Sequence, residues 1–592
     1  LAHPDCAATW QRLLAACEQM LLPTPPPLYP RHIRAEHLAF ASLITGRDDF
    51  AEGALVMART TARNPQWGGS KFANKVGART CLATGACTAN LTLVRDWLAP
   101  RLGTEDRALF AGAVKQQAFD AMLHDLRTGV KSTSWYVCNG MAVTNAPILM
   151  AALRFADELD TREIEAGVLT QVRRNIGAFC PDGGYTEGLL YWNYFFRHLL
   201  LGIVPLARLR GIDLTTEPFV RGTGDYPLHF IHPWLTDCTN TADSTSLTHL
   251  WAGMAFCAAH YRRPDWQWLA RRMVRHDWGL DGESLEYSLF FLLYYDPELP
   301  ATPPLPEQRY WLFGGLQQLS WRSDWTPDAR HLVWLNGPAN VHHNHLHLNS
   351  FTLAAYGRRL IVELGQYDYS NHDDGRFSTT GHNTLRVNGE DQAITTDTDQ
   401  WCRRVRPGQW GPTYGLFEGW REEAGAMLAT GVVHGAYPGR LSEFARTLVW
   451  LGDQAILLHD QLAITATPPV ALQWRFHAGG DWHLTPEGGE ITYDHARLAL
   501  RWLAAADYTW QVIQEPPERC HPERPVPCLL IECQVSTPTH DAFALLLPWH
   551  AGTPPPAATL ARQPDGLIAV ALAGIGAWHY DPSRRKLLAA AN

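Results

Sequence analysis

Lysine is scarce in this chain of 592 residues: Lys71, Lys75, Lys115, Lys131 and Lys586 stand among 50 Lys plus Arg. With 59 Asp plus Glu the formal net charge is −9, which argues against general nucleic-acid binding, where a basic footprint is needed. Arginine suits planar carboxylates through its bidentate fork, although a GC-rich genome gives the same bias and is the simpler account. An acidic substrate stays compatible with this charge if basic side chains are concentrated in its cleft. No apolar run reaches the ~18 residues that a membrane span needs. CxxC pairs are absent, so the 12 cysteines indicate neither a zinc ribbon nor a dense disulfide framework. Cys81 with Cys87, and Cys520, Cys528 and Cys533 among themselves, are open pairings for an oxidising compartment. The sequence also lacks an internal repeat and a low-complexity tail. It begins at Leu1 rather than Met, as a processed chain does, so a secreted or periplasmic protein with its signal peptide removed is expected.

What is present is a 46% hydrophobic fraction and 24 Trp, in a chain too long for one core, so two to four domains are expected. Residues 1–297 read as helical. In REIEAGVLTQVRRNIGAF, Ile164, Val168, Val172 and Ile176 recur at four-residue spacing, with Asp160 or Thr161 placed to cap. Similar segments lie around Glu105–Leu126, Ala142–Asp157, Tyr194–Leu209 and Leu247–His260. Helices in series that each bury one face predict a helical array or an α/α toroid. A proline-rich connector, residues 298–308 around LPATPPLP, cannot continue a helix. From 309 to 592 the period changes. LQQLSWRS, HLVWLNG, SFTLAAYGRRLIVELG, RTLVWLG, AILLHDQLA, LQWRFHAG, ARLALRWLA and LIAVALAG are short β-rich runs, broken by turns such as Asn388-Gly389 and Gly452-Asp453. Stacked antiparallel sheets are expected there.

The second half opens on VHHNHLHLNS, four histidines in six residues between His342 and His347. Read as a strand, its period of two puts His343, His345 and His347 on one face. Imidazoles so placed share a metal ion, a proton-transfer task, or one of each. Glu363 in RLIVELG and His382 in TTGHNTLRV are further donors, and two His with one Glu from neighbouring strands make a zinc site. In a chain with 26 His, surface or hydrogen-bonded imidazoles are the plainer alternative.

A helical half followed by a β-sandwich half with this cluster at its start resembles the heparinase II/III-like polysaccharide lyases. His343-Asn344-His345-Leu346-His347-Leu348-Asn349-Ser350-Phe351 fits the family signature His-x-His-x-Asp-x-x-Ser-Phe without a gap, except that His347 replaces the acid. Val362-Glu363-Leu364-Gly365 follows, where the family more often has Asp, then Tyr367 and Tyr369, and then His382-Asn383-Thr384. In the helical half Pro181-Asp182-Gly183-Gly184-Tyr185-Thr186-Glu187-Gly188 with Tyr191 resembles the family's PDG…EG…Y segment, and Val137-Cys138-Asn139-Gly140 a second stretch.

The resemblance implies an N-terminal (α/α) toroid followed by a C-terminal antiparallel β-sandwich. It also implies β-elimination at a 4-linked uronic acid, and so an acidic polysaccharide as partner. Tyr191 matches the catalytic tyrosine, with Tyr194 one turn away as competitor, and His343 matches the base or carboxylate partner. His345, Glu363 and His382 match a structural zinc site. Asn139 and His342 are candidate donors to the substrate carboxylate, Arg376 a candidate guanidinium, Glu187 a candidate sugar contact, and Trp135 and Trp192 candidate stacking faces. Two other classes stay open. A glycoside hydrolase would use Asp182 with Glu187 as paired carboxylates, and a non-catalytic carbohydrate-binding protein would use the aromatics and the metal. The substrate leaning is an unsulfated uronate polymer such as a bacterial capsule, since a heavily sulfated one wants more cationic surface.

Overall fold

The structure of the protein is a computed structural model that describes residues 1–25, 34–68, 77–130, 137–246, 251–275, 282–339, 343–366, 375–393, 412–503 and 507–589. The chain divides into two compact units. One comprises Leu1–Leu228 with His249–Pro303, the other His229–Thr248 with Pro304–Trp401 and Pro407–Asn592. The segment His229–Thr248, which falls inside the expected helical half 1–297, therefore lies with the sheets. Its polar stretch Thr239–Ser246 carries no helical period.

The first unit is helical for the reasons its sequence shows. In the Arg162–Ile176 helix, Ile164, Val168, Val172 and Ile176 are buried, while Glu163 and Glu165 sit in the first turn and Arg173 and Arg174 in the last. That charge order complements the helix dipole. The Asn139–Arg154 helix is buried on nearly every face, as a helix apolar all round must be, and packs against Leu82–Trp97, Arg162–Ile176 and Gly188–Arg210. Gly85 permits that packing: a Cβ there would lie 2.0 Å from the Val143 carbonyl oxygen. The first helix, Pro4–Met20, packs against the last, Gly282–Tyr294. Nearby, the Asp5 carboxylate accepts from the Tyr295 hydroxyl at 2.7 Å and meets Arg271 Nε at 3.0 Å. The series of helices thus closes on itself as an (α/α) toroid.

In the second unit the described strands form four antiparallel sheets. One has five strands in the order Tyr310–Phe313, Gln318–Arg322, His331–Leu335, Ser350–Ala355, Arg358–Ile361. A nine-stranded sheet includes the long strands Leu441–Leu451, Ala455–Ile464 and Thr539–His550. Alternation along these strands sends neighbours to opposite faces. Leu448, Leu458 and Leu546 join a core with Trp334, Phe351, Trp474 and Leu529 of two other sheets. Val449, Leu457 and Leu545 face Val570 and Tyr580 of the C-terminal sheet. The nine-stranded sheet is therefore covered on both sides, which is the stacked arrangement expected. Asn388-Gly389 and Gly452-Asp453 turn with φ of 53° and 71°, and of 54° and 53°, the left-handed pair that a tight hairpin demands. The described cysteines, Cys81, Cys87, Cys520, Cys528 and Cys533 included, are free thiols, so the open pairings are not formed. No helix among the described residues is long and apolar enough to cross a membrane.

Candidate active site

The histidine run is not a strand. His343 to Asn349 is irregular, and the strand starts at Ser350. His343 and Asn349 both take φ of 60°, a left-handed conformation uncommon outside glycine. Buried polar contacts impose it. Asn349 Nδ2 donates to the Gly431 carbonyl at 2.9 Å, and its Oδ1 accepts from Asn336 at 3.0 Å. Arg446, paired with Asp460, donates to the Asn349 and Asn383 carbonyls at 2.7 and 2.8 Å. The expected single face of three imidazoles is accordingly split.

His343 and His345 meet Asp243. His343 Nδ1 donates to Asp243 Oδ2, and His345 Nε2 to Asp243 Oδ1 at 2.8 Å. Both Asp243 and His345 have fully buried side chains, whereas that of His343 keeps 13% exposure. Burial alone would raise the Asp243 carboxyl. The two histidine donors outweigh it and hold the group well below the usual carboxylate range, so it is an anion here. Burial pushes His345 down despite Asp243.

His347 turns the other way. Its ring nitrogens, the Glu363 carboxylate and the His382 ring present ligand atoms within 4.8 Å of one another, and all three residues are buried. His382 Nδ1 donates to Glu363 Oε2, and Ser350 Oγ donates to Glu363 Oε1 at 2.5 Å. Neither nitrogen of His347 and not Nε2 of His382 has a hydrogen-bond partner. Buried imidazole nitrogens left so are costly, and two imidazoles with a carboxylate are the donor set of a zinc ion. The residues fit the metal that the resemblance implies. Glu363 and His382 converge with His347, while His345 donates through Nε2 to Asp243 and has Nδ1 as the nitrogen it would offer to an ion. A second convergent set, His477, Glu515 and Cys528, is already neutralised: Arg475 binds the Glu515 carboxylate and burial raises the Cys528 thiol to about 12.

In the helical unit, Tyr191 and Tyr194 lie half-buried in the Gly188–Arg210 helix. Tyr194 packs edge-on against His198 at 4.8 Å between ring centroids. Glu187 and Asn139 are engaged with each other rather than placed for sugar. Glu187 is fully buried and accepts from the Asn139 backbone N–H at 2.8 Å, Asn139 Nδ2 at 3.3 Å and the Tyr185 hydroxyl at 2.6 Å. Burial and this carboxylate raise Tyr185 far above the ordinary phenol. The same burial removes Glu187 from the hydrolase pair, and Asp182 caps the Gly184 N–H at 3.1 Å. Trp192 is core: its Nε1 donates to Thr223 Oγ1 at 2.8 Å and its ring stacks on Phe196. Arg376 anchors to the Pro517 carbonyl at 2.7 and 3.0 Å. Trp135, His342, Tyr367 and Tyr369 lie outside the described residues.

Sequence reasoning missed Asp243 and its loop. Asn240 Nδ2 donates to the Glu363 carbonyl at 2.5 Å and to Glu518 at 3.0 Å, and the Gln366 N–H donates to the Ser244 carbonyl at 3.1 Å. Gly365 is where the two segments touch, since a Cβ there would lie 2.6 Å from the Ser244 oxygen. The one available signal was the run CTNTADSTS, polar yet free of Lys, Arg and Glu, as a buried hydrogen-bonded loop must be.

Residues 314–524 match the heparinase II/III-like, C-terminal family. This stretch is a heparinase II/III-like C-terminal domain. It contains His343, His345, His347, Glu363 and His382, so the histidine cluster lies inside the matched region. Solved structures share the fold over nearly all of the chain. A heparan sulfate lyase from Pedobacter heparinus aligns with a TM-score of 0.66 at 14% identity, covering 97% of this chain and 85% of that one. A chondroitin AC lyase from Streptomyces coelicolor, in complex with chondroitin sulphate, aligns with 0.53 at 13% identity, covering 97% and 84%. A xanthan lyase from Paenibacillus aligns with 0.51 at 10% identity, covering 96% and 61%. Among curated proteins none matches this chain.

Proposed function

We propose that the protein is a polysaccharide lyase that cleaves a uronic-acid-containing polysaccharide by β-elimination. The observation that carries this reading is His343 in a heparinase-like domain: a buried anion holds its Nδ1 while the side chain keeps 13% exposure. The C5 proton of a uronate is weakly acidic until hydrogen-bond donors stabilise the enolate-like charge on its carboxylate. A base then takes that proton, the C5–H electrons form the C4–C5 double bond, the C4–O4 bond breaks, and an acid protonates the departing O4. No water is consumed. Tyr191 is assigned the proton transfer, and His343 the role of base or carboxylate partner. His342 and Arg376 are candidates for further donors. Asn139 and Glu187 fix the start of the Asn139–Arg154 helix and Tyr185. A divalent ion, zinc first, is proposed to be held by His347, Glu363 and His382, where it supplies a structural cross-link between the histidine run and the turn before Leu385. An unsulfated uronan, such as a capsular or secreted bacterial polysaccharide, is the proposed substrate, and a secreted or periplasmic location accompanies it.

Incubation with a panel of uronate polymers, read by ultraviolet absorbance and by new reducing ends, tests the reading. A rise in absorbance with one polymer, abolished in His343→Ala, is the expected result. New reducing ends without absorbance would replace the lyase by a hydrolase. Binding without either product would replace it by a carbohydrate-binding protein.

A further inference from the structure

The Thr239–Ser246 loop is polar, buried and fixed to both segments that carry the site. Its one acidic residue, Asp243, uses each carboxylate oxygen on a different histidine, Oδ2 on His343 Nδ1 and Oδ1 on His345 Nε2. The backbone repeats the link, because the Asp243 N–H donates to the His343 carbonyl at 3.1 Å. His343 is held by this loop at side chain and main chain together, in a left-handed conformation uncommon outside glycine. On the far side, Asn240 and Ser244 bind the Glu363–Gln366 segment, so the loop cannot shift without disturbing both.

We propose that Asp243 is the positioning residue of this site, holding His343 in the tautomer that carries its proton on Nδ1 and fixing His345 with the same carboxylate. The proposal rests on the lyase reading with His343 as the base. Its chemistry is a count of donors and acceptors. Two imidazole N–H groups need two acceptors, and a carboxylate offers both. An asparagine of the same shape offers one acceptor and one donor, so one imidazole must change tautomer. If His343 changes, its Nε2 carries a proton and can no longer accept one from C5. A histidine in a hydrogen-bonded relay loses most of its function when its carboxylate partner becomes an amide, by up to about 10⁴-fold in serine proteases.

The test compares the whole protein with Asp243→Asn on the polymer that the wild type cleaves. The expected result is a kcat lower by about 100-fold or more with KM changed less than about threefold, and an unfolding midpoint near that of the wild type. A kcat within about threefold of wild type overturns the proposal, and so does a loss of activity that merely follows a lost fold. Long-range ¹H–¹⁵N spectra of histidine-labelled protein give a second readout that needs no turnover, with the His343 signals assigned by their loss in His343→Gln. Wild type is expected to show His343 protonated at Nδ1 and unprotonated at Nε2. The opposite tautomer in wild type, or unchanged His343 and His345 tautomers in folded D243N, overturns the proposal. If wild type cleaves no polymer but shows the expected tautomer, the lyase reading fails while the tether stands.

Discussion

Tyr191 and Tyr194 stand one turn apart on the same helix, and only Tyr191 is assigned the proton transfer. Removing a hydroxyl leaves each ring in place, so phenylalanine substitution isolates proton transfer from packing. Tyr191→Phe is expected to lower kcat by about 10²–10⁴-fold with polymer binding retained, and Tyr194→Phe by less than about tenfold, measured as initial rates and by affinity electrophoresis. Equal losses in both would remove the assignment of Tyr191. A similar contrast applies to the histidines. His347→Ala removes one of the three convergent metal donors and is expected to weaken metal retention by about tenfold or more, read by elemental analysis after dialysis. His345→Ala, directed at Asp243 instead, is expected to keep the metal. Retention in the first and loss in the second would restore His345 to the metal set.

At the scale of elements, the change of period from four to two residues divided the chain, and the turns at Asn388-Gly389 and Gly452-Asp453 were legible because only a few residues accept positive φ. The histidine run was misread as a strand because local alternation says nothing of the Asn336, Asn349 and Arg446 contacts that bend it. Asp243 lies a hundred residues before His343 in a loop without periodicity, so no spacing argument could join them. Gly85 makes the close helix packing testable: Gly85→Ala is expected to cost about 1–3 kcal/mol, seen as a lower thermal midpoint.

Burial makes the second unit pH-sensitive in a predictable direction. His232 and His331 are in contact at 3.3 Å between Nδ1 atoms, and each is pushed well below the ordinary histidine value, chiefly by burial and further by Arg322. Arg359 adds to the effect on His232. Between the ordinary value near 6.5 and the depressed one, the unfolded chain binds more protons than the folded chain. Stability therefore falls as the pH drops through that window, by up to about 1.4 kcal/mol per pH unit for each group. Unfolding midpoints are expected to fall from pH 7 to pH 5, and to fall less steeply in His331→Gln. An unchanged slope in that variant would assign the acid sensitivity to other groups.

For the whole molecule the governing quantity is the net charge of −9, carried by a protein proposed to bind a polyanion. Long-range repulsion grows with the charge per sugar and is screened over about 10 Å at 0.1 M salt. A sulfated chain, which brings extra anions to each disaccharide, meets more of it than a polymer with one carboxylate per repeat. Short-range recognition by arginine forks favours planar carboxylates and survives salt better than the long-range field. Measured at low ionic strength, kcat/KM on an unsulfated polymer with one uronate per disaccharide is therefore expected to exceed that on heparan sulfate by about tenfold or more, and the ratio to shrink as salt rises. The shrinkage should lie in kcat/KM for the sulfated polymer, since screening acts on encounter and leaves elimination alone. A preference for heparan sulfate that weakens with salt would show instead that a locally basic cleft overrides the net charge, and would move the substrate to the sulfated class.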